Sequence, residues 1–73
     1  MKLIPGKLYK VLYGRISAIE VGDDIVRNEI VMFINLKKDY GRYFWHVFLH
    51  NTKIVKCLPE KIEDYERQLK ELK

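Results

Sequence analysis

The chain has 73 residues, of which 48% are hydrophobic and 33% charged, with a net charge of +4 and a single Cys. That length allows one domain with a small core, and that balance excludes a disordered chain. No apolar run approaches the roughly 20 residues that a membrane span requires, and one Cys excludes an internal disulfide.

The N-terminal Met1-Lys2-Leu3-Ile4-Pro5-Gly6 lacks the apolar segment of a secretory signal. Together with the lone Cys57 this points to a reducing, cytoplasmic setting. Pro5-Gly6 marks a turn. Lys7 to Tyr13 then reads as a first strand, with Tyr9, Val11 and Tyr13 on one face and Leu8 and Leu12 beside Lys10 on the other. Gly14 ends it.

Arg15 to Asn28 is less regular. Ile16 and Ile19 lie three apart, which breaks strict alternation, and Gly22-Asp23-Asp24 is a turn. A long irregular hairpin or arm is expected, with a short strand resuming at Ile25 and Val26. Ile30 to Leu36 is apolar on both faces except at Asn35, the mark of a second, central strand.

Lys37-Lys38-Asp39-Tyr40-Gly41-Arg42 has the composition of a hairpin connection. It leads into Tyr43-Phe44-Trp45-His46-Val47-Phe48-Leu49-His50, where β-favouring types dominate without a Gly or Pro. One face carries Tyr43, Trp45, Val47 and Leu49; the other carries Phe44, His46, Phe48 and His50. Trp45 is expected in the core and Tyr40, in the turn, at the surface. His50-Asn51-Thr52 turns the chain into Lys53 to Leu58, an edge strand on which Lys56 discourages further pairing.

Pro59 is expected to end the sheet and to open a C-terminal helix over residues 59 to 73. Glu60, Glu63 and Asp64 suit the positive end of its dipole, and Lys70 and Lys73 the negative end. Ile62, Tyr65, Leu69 and Leu72 form a stripe at spacings of three and four that must dock on the sheet, on a partner or on a second copy. The fold class is therefore mostly β: a small, strongly bent antiparallel barrel of about five strands, with one helix.

Pro5 to Leu12, Glu29 to Ile34, the aromatic strand and the tight turn into the last strand resemble SH3-like small barrels, in particular the short SH3-like proteins of bacteriophage genomes. The resemblance spans about residues 5 to 58 and rests on pattern. Members that bind proline-rich peptides use an acidic arm and a Trp-Tyr-Pro groove. Asp23 and Asp24 would stand in the arm and Trp45 in the groove, but no second Trp neighbours Trp45, so no proline-peptide site is carried over. The resemblance implies a binding module without catalysis and names no ligand.

Charge is unevenly spread. Residues 37 to 58 hold Lys37, Lys38, Arg42, Lys53 and Lys56 against Asp39 alone, while the rest is near neutral. A localised basic surface favours polyanions or an acidic protein face. Cations interleaved with aromatics also suit single-stranded nucleic acid, with Lys37, Lys38 and Arg42 on phosphates and Tyr40, Tyr43 and Trp45 stacking on bases. The candidate ligand-binding residues are therefore Lys37, Lys38, Tyr40, Arg42, Tyr43, Trp45 and Lys53. A protein partner is the leading expectation, recruited through a strand edge, through the arm acids Glu20, Asp23, Asp24 and Glu29, or through the helix stripe. Nucleic acid is the alternative, and self-association through Ile62, Tyr65, Leu69 and Leu72 a third.

No cofactor is expected. His46 and His50 share a face about 13 Å apart, too far to ligate one zinc ion. Cys57 alternates with Val55, which suits a packed thiol better than a nucleophile.

Overall fold

A computed structural model describes residues 2–73. Five strands form one antiparallel sheet, and two short strands, Arg15–Ile16 (β2) and Ile25–Val26 (β3), pair separately; in the sheet the order is Lys53–Lys61 (β6), Tyr43–His50 (β5), Ile30–Lys38 (β4), Leu8–Val11 (β1), Leu69–Glu71 (β7). The helix α1 is Ile62–Gln68. β6 and β7 do not pair with each other, so the hydrogen-bonded ladder remains open.

β1 follows the period of two. Tyr9 and Val11 are fully buried, while Leu8 faces outward and is 44% exposed. The strand is shorter than its pattern, and Tyr13 lies outside it, exposed. Arg15–Ile16 (β2) and Ile25–Val26 (β3) form the base of the arm, with Ile16 opposite Ile25 and both in the core. The broken alternation has a cause here. Ile16 points inward, Ala18 bridges to Cys57 on β6, and Ile19 is left exposed. Asp24 accepts a hydrogen bond from the Ala18 N–H at 2.9 Å, which closes the arm on itself.

Two bulges set which side chains face the core. β4 pairs with β5 through Phe33 opposite Phe48, then Asn35 opposite Val47, so Ile34 is the extra residue. Strict alternation would bury Asn35 beside Phe33. The bulge instead turns Asn35 outward and brings Leu36 against the core. On β6, Phe44 faces Glu60 and His46 faces Cys57, so Leu58 and Pro59 share the place opposite Trp45.

That second bulge explains a correction. Pro59 does not end the sheet, and no helix spans 59 to 73. Proline is tolerated in an edge strand and at a bulge, and Pro59 occupies both. β6 therefore continues to Lys61, and only seven residues are helical. Leu69 turns extended and pairs with Val11, Lys70 with Lys10 and Glu71 with Tyr9. Burial of Leu69 against an otherwise open edge of β1 overrides the helix preference of Leu, Lys and Glu. Glu63 and Asp64 still occupy the first helical turn, but Arg67, not Lys70 or Lys73, occupies the last.

The helix stripe docks within the chain. Tyr65 and Leu69 are both buried, and the Tyr65 hydroxyl donates to the Leu58 carbonyl at 3.0 Å. The Tyr65 ring meets His46 edge-on at 4.2 Å and Phe48 at 6.3 Å. Tyr65 and Leu69 are thus spent within the chain, whereas Ile62 and Leu72, the other members of the stripe, are half-buried.

The turn after β5 has a consequence for stability. Asn51 and Thr52 take φ of 50° and 62°, as a two-residue primed hairpin turn requires. A β-branched residue is strained there. Thr52→Gly is expected to raise stability by about 0.5–1 kcal/mol, the relief of strain less the extra freedom of glycine in the unfolded chain. A urea midpoint equal to or below the parent's would contradict this.

Candidate functional site

β5 divides the sheet into two chemically different sides. Its inward side is Phe44, His46, Phe48 and His50; His46 and Phe48 are fully buried and His50 nearly so. The outward side is Tyr43, Trp45, Val47 and Leu49. Trp45 is therefore half-buried on the outer face and not in the core. The face chosen for burial is the one that Phe33, Leu36 and Tyr65 can cover.

Trp45 is held from two sides. Its indole N–H donates to Asp39 Oδ1 at 3.3 Å. Lys56 places its ammonium 4.3 Å from the ring centroid, a cation–π contact. Lys37 stands opposite Trp45 on β4, and Lys61 stands opposite Tyr43 on β6. Cross-strand partners share a face, so Lys37, Tyr43, Trp45, Lys56 and Lys61 make one outward patch.

The other predicted residues separate from it. Lys38 pairs with Phe44 and lies toward the opposite side. Tyr40, in the turn, is 81% exposed, as expected. Arg42 reaches Glu63 on α1 at 3.6 Å. Lys53 stands at the far end of β5, opposite His50, and pairs with Asp23 at 2.8 Å. That ion pair favours the charged ammonium of Lys53, first through the hydrogen bond and then through the opposite charge. Lys56 and Lys61 were not among the predicted site residues. Lys56 was readable as sharing the face of Ile54, but the bulge that sets Lys61 beside Tyr43 leaves no mark in the alternation.

The strands set no acid on this side of the sheet, and Asp39, from the turn, is the carboxylate that reaches it, at Trp45. Register sets Lys10 and Lys70 on it too, whereas the strand acids Glu60 and Glu71 pair with the inward-facing Phe44 and Tyr9. The arm acids are engaged elsewhere. Asp23 holds Lys53, and Asp24 holds Arg15 at 3.6 Å. Glu29 accepts from the Val26 N–H at 2.8 Å and meets His50 Nε2 at 3.0 Å. The Val26 N–H first, and His50 second, hold the Glu29 carboxyl below its ordinary value. The arm is thereby tied to the hairpin instead of presenting its carboxylates. The β6 edge is also covered in part, since Ser17 and Ile19 bond to Leu58 and Lys56.

Comparison with family models, with curated proteins and with solved structures finds no match for this chain. The reading of the site rests on its geometry.

Two interior groups invite a catalytic reading. His46 and Cys57 are cross-strand neighbours, both fully buried. His46 Nδ1 lies 3.0 Å from the Phe44 carbonyl and donates to it, and Nε2 has no partner. Burial pulls the imidazole down to about 4 and pushes the thiol up to about 12. At neutral pH both are uncharged, so this pair is no thiolate–imidazolium nucleophile. Among the described residues no three His, Cys, Asp or Glu side chains gather as a metal site.

A cleft of about 330 Å³ opens between the arm, the end of β6 and α1, lined by Tyr13, Arg15, Glu60, Tyr65, Arg67 and Gln68 among others. Its charges are largely paired: Arg15 with Asp24, and Arg67 with Asp64. Gln68 donates to the Tyr13 carbonyl at 2.9 Å. No helix among the described residues is long and apolar enough to cross a membrane.

Proposed function

We propose that this chain is a non-catalytic binding module with a small SH3-like barrel fold, of the kind found in bacteriophage proteins, and that it binds a protein partner inside the cell through the outward side of β4, β5 and β6. The observation that carries this reading is the patch of Lys37, Tyr43, Trp45, Lys56 and Lys61, where three lysines face the single carboxylate of Asp39. Positive potential combined with half-buried aromatic surface suits an acidic protein face, where aromatic side chains anchor and charge steers the encounter. The barrel reading is supported by β1 pairing with both β4 and β7, and by α1 running directly from β6 to β7.

Single-stranded nucleic acid is a second reading. Its support is Tyr40, exposed at a turn flanked by Lys38 and Arg42. Against it, Lys56 already covers one face of Trp45, so a stacked base must displace a cation–π contact.

A tagged chain used as bait in lysate, with and without nuclease, separates the two. The expected result is a partner retained after nuclease treatment and lost when Lys37→Glu and Lys56→Glu are combined. Loss of every specific band on nuclease treatment, with binding to single strands that falls steeply with salt, overturns the protein-partner reading in favour of nucleic acid.

A further inference from the structure

The outward face carries more apolar surface than the basic patch needs. Register aligns Leu8, Met32, Leu49 and Ile54 in one row across β1, β4, β5 and β6. Leu8 is 44% and Ile54 67% exposed. A second line runs along β5 through Tyr43, Trp45, Val47 and Leu49. Six residue steps at about 3.3 Å give it a length of about 20 Å. The transverse row, three interstrand spacings, is about 14 Å wide. An α-helix about 10–12 Å in diameter fits that width, and about 13 residues of it, at 1.5 Å each, match that length.

Charge identifies which helix. Lys37 flanks the apolar line on the β4 side, and Lys56 and Lys61 flank it on the β6 side. The five strands contribute no carboxylate to this face, and Asp39 reaches its upper end only to accept from Trp45. The occupant therefore carries an apolar stripe with acids on both flanks. A second copy docked by the same face would set these lysines against themselves, because a two-fold interface uses one patch twice. A phosphate backbone would meet the lysines but leave Val47, Leu49 and Ile54 uncovered. An added β-strand is disfavoured, since the arm takes part of the β6 edge and β7 has only three residues.

We infer that the partner contributes an amphipathic helix of about 13 residues with acidic flanks, laid along the outward side of β5. This inference rests on the protein-binding reading above and specifies its ligand.

The probe is a fluorescein-labelled 14-residue peptide with Leu at helical spacings of three and four and Glu on both sides of that stripe. A scrambled peptide of the same composition is the control. Fluorescence anisotropy is expected to give saturable binding at micromolar peptide, at least tenfold weaker for the scrambled sequence. Ile54→Glu, at a site exposed enough to fold, is expected to weaken binding at least tenfold with an unchanged circular dichroism spectrum. Lys37→Glu with Lys56→Glu is expected to reverse the preference toward a Lys-flanked version of the peptide. Equal binding of the scrambled peptide overturns the inference, as does full affinity in Ile54→Glu. Tighter binding to an oligo-dT strand or to phosphatidylserine vesicles than to the peptide also overturns it. If the peptide fails while the nuclease-resistant partner is still captured, the helix is wrong and the module stands; if nuclease removes the partner, the module reading itself falls.

Discussion

The folded state is expected to lose about 3 kcal/mol as the pH falls from 6.5 to 4, and His46 is the cause. Its imidazole is fully buried, and burial pulls its titration from 6.5 down to about 4, against a smaller opposing effect of the hydrogen bond to the Phe44 carbonyl. Above pH 6.5 the ring is neutral in both folded and unfolded chains, and stability does not depend on it. Below 6.5 the unfolded chain takes up a proton that the folded chain refuses until about pH 4. Each pH unit in that window therefore favours unfolding by about 1.4 kcal/mol. The ring is surrounded by Phe33, Phe48 and Tyr65, with the Cys57 thiol across the strand, so no carboxylate is at hand to stabilise the imidazolium. The Glu29 carboxyl is held below its ordinary value of 4.5, so its contribution begins to fall only at the acid end of this window.

A chain of this size has about 4–11 kcal/mol of stability in all, so the loss should be visible as a large fall in the urea midpoint followed by Trp45 fluorescence. His46→Leu removes the titrating group. It costs about 1 kcal/mol at neutral pH, because the part-buried Phe44 carbonyl loses this donor, and it should flatten the slope between pH 6.5 and 4. A slope that survives in His46→Leu would assign the acid sensitivity to another group.

What the sequence disclosed follows from where its patterns were simple. β1, β4, β5 and the start of β6 repeat every two residues, and they fold as strands with Tyr9, Val11, Val31, Phe33, Val55 and Cys57 inward. The arm was readable as irregular because Ile16 and Ile19 cannot share a face. The departures arise at points where one residue is inserted into a ladder. The bulge at Ile34 exchanges Asn35 for Leu36, and the bulge at Leu58-Pro59 lets a proline pass through an edge strand. Neither leaves a signal in periodicity. The end of the chain shows a different limit. Ile62 to Leu72 satisfies helical spacing throughout, yet Leu69 and Lys70 serve better as a strand beside β1, and only tertiary pairing decides between them. For the site, Lys37, Tyr43 and Trp45 were found because they are close in sequence. Lys56 and Lys61 join them only through β6 register, and Lys53, which charge alone groups with them, lies about 23 Å along the strand from Tyr43.

The sharpest consequence of the β5 assignment is a contrast between two aromatic residues three apart. Phe48→Ala is expected to cost about 3–5 kcal/mol, a large share of the stability of a chain this size. Its ring is fully buried, 5.7 Å from Phe33 and 6.3 Å from Tyr65, on strands that cannot close over the void. Trp45→Ala, although it removes the larger side chain, is expected to cost only about 1 kcal/mol. It gives up the contact with Lys56 and a long hydrogen bond to Asp39, both at a water-accessible face. In binding the order reverses. Trp45→Ala should remain folded and lose the partner, because the ring forms part of the outward apolar line. The two variants can be compared by urea unfolding monitored by circular dichroism, which does not depend on the indole. Equal destabilisation would mean that Trp45 belongs to the core after all, and the outer face would then lose its anchor. A large cost at Phe48 with a small one at Trp45 would leave that tryptophan without a structural reason to stand at the surface, which is the condition a recognition surface requires.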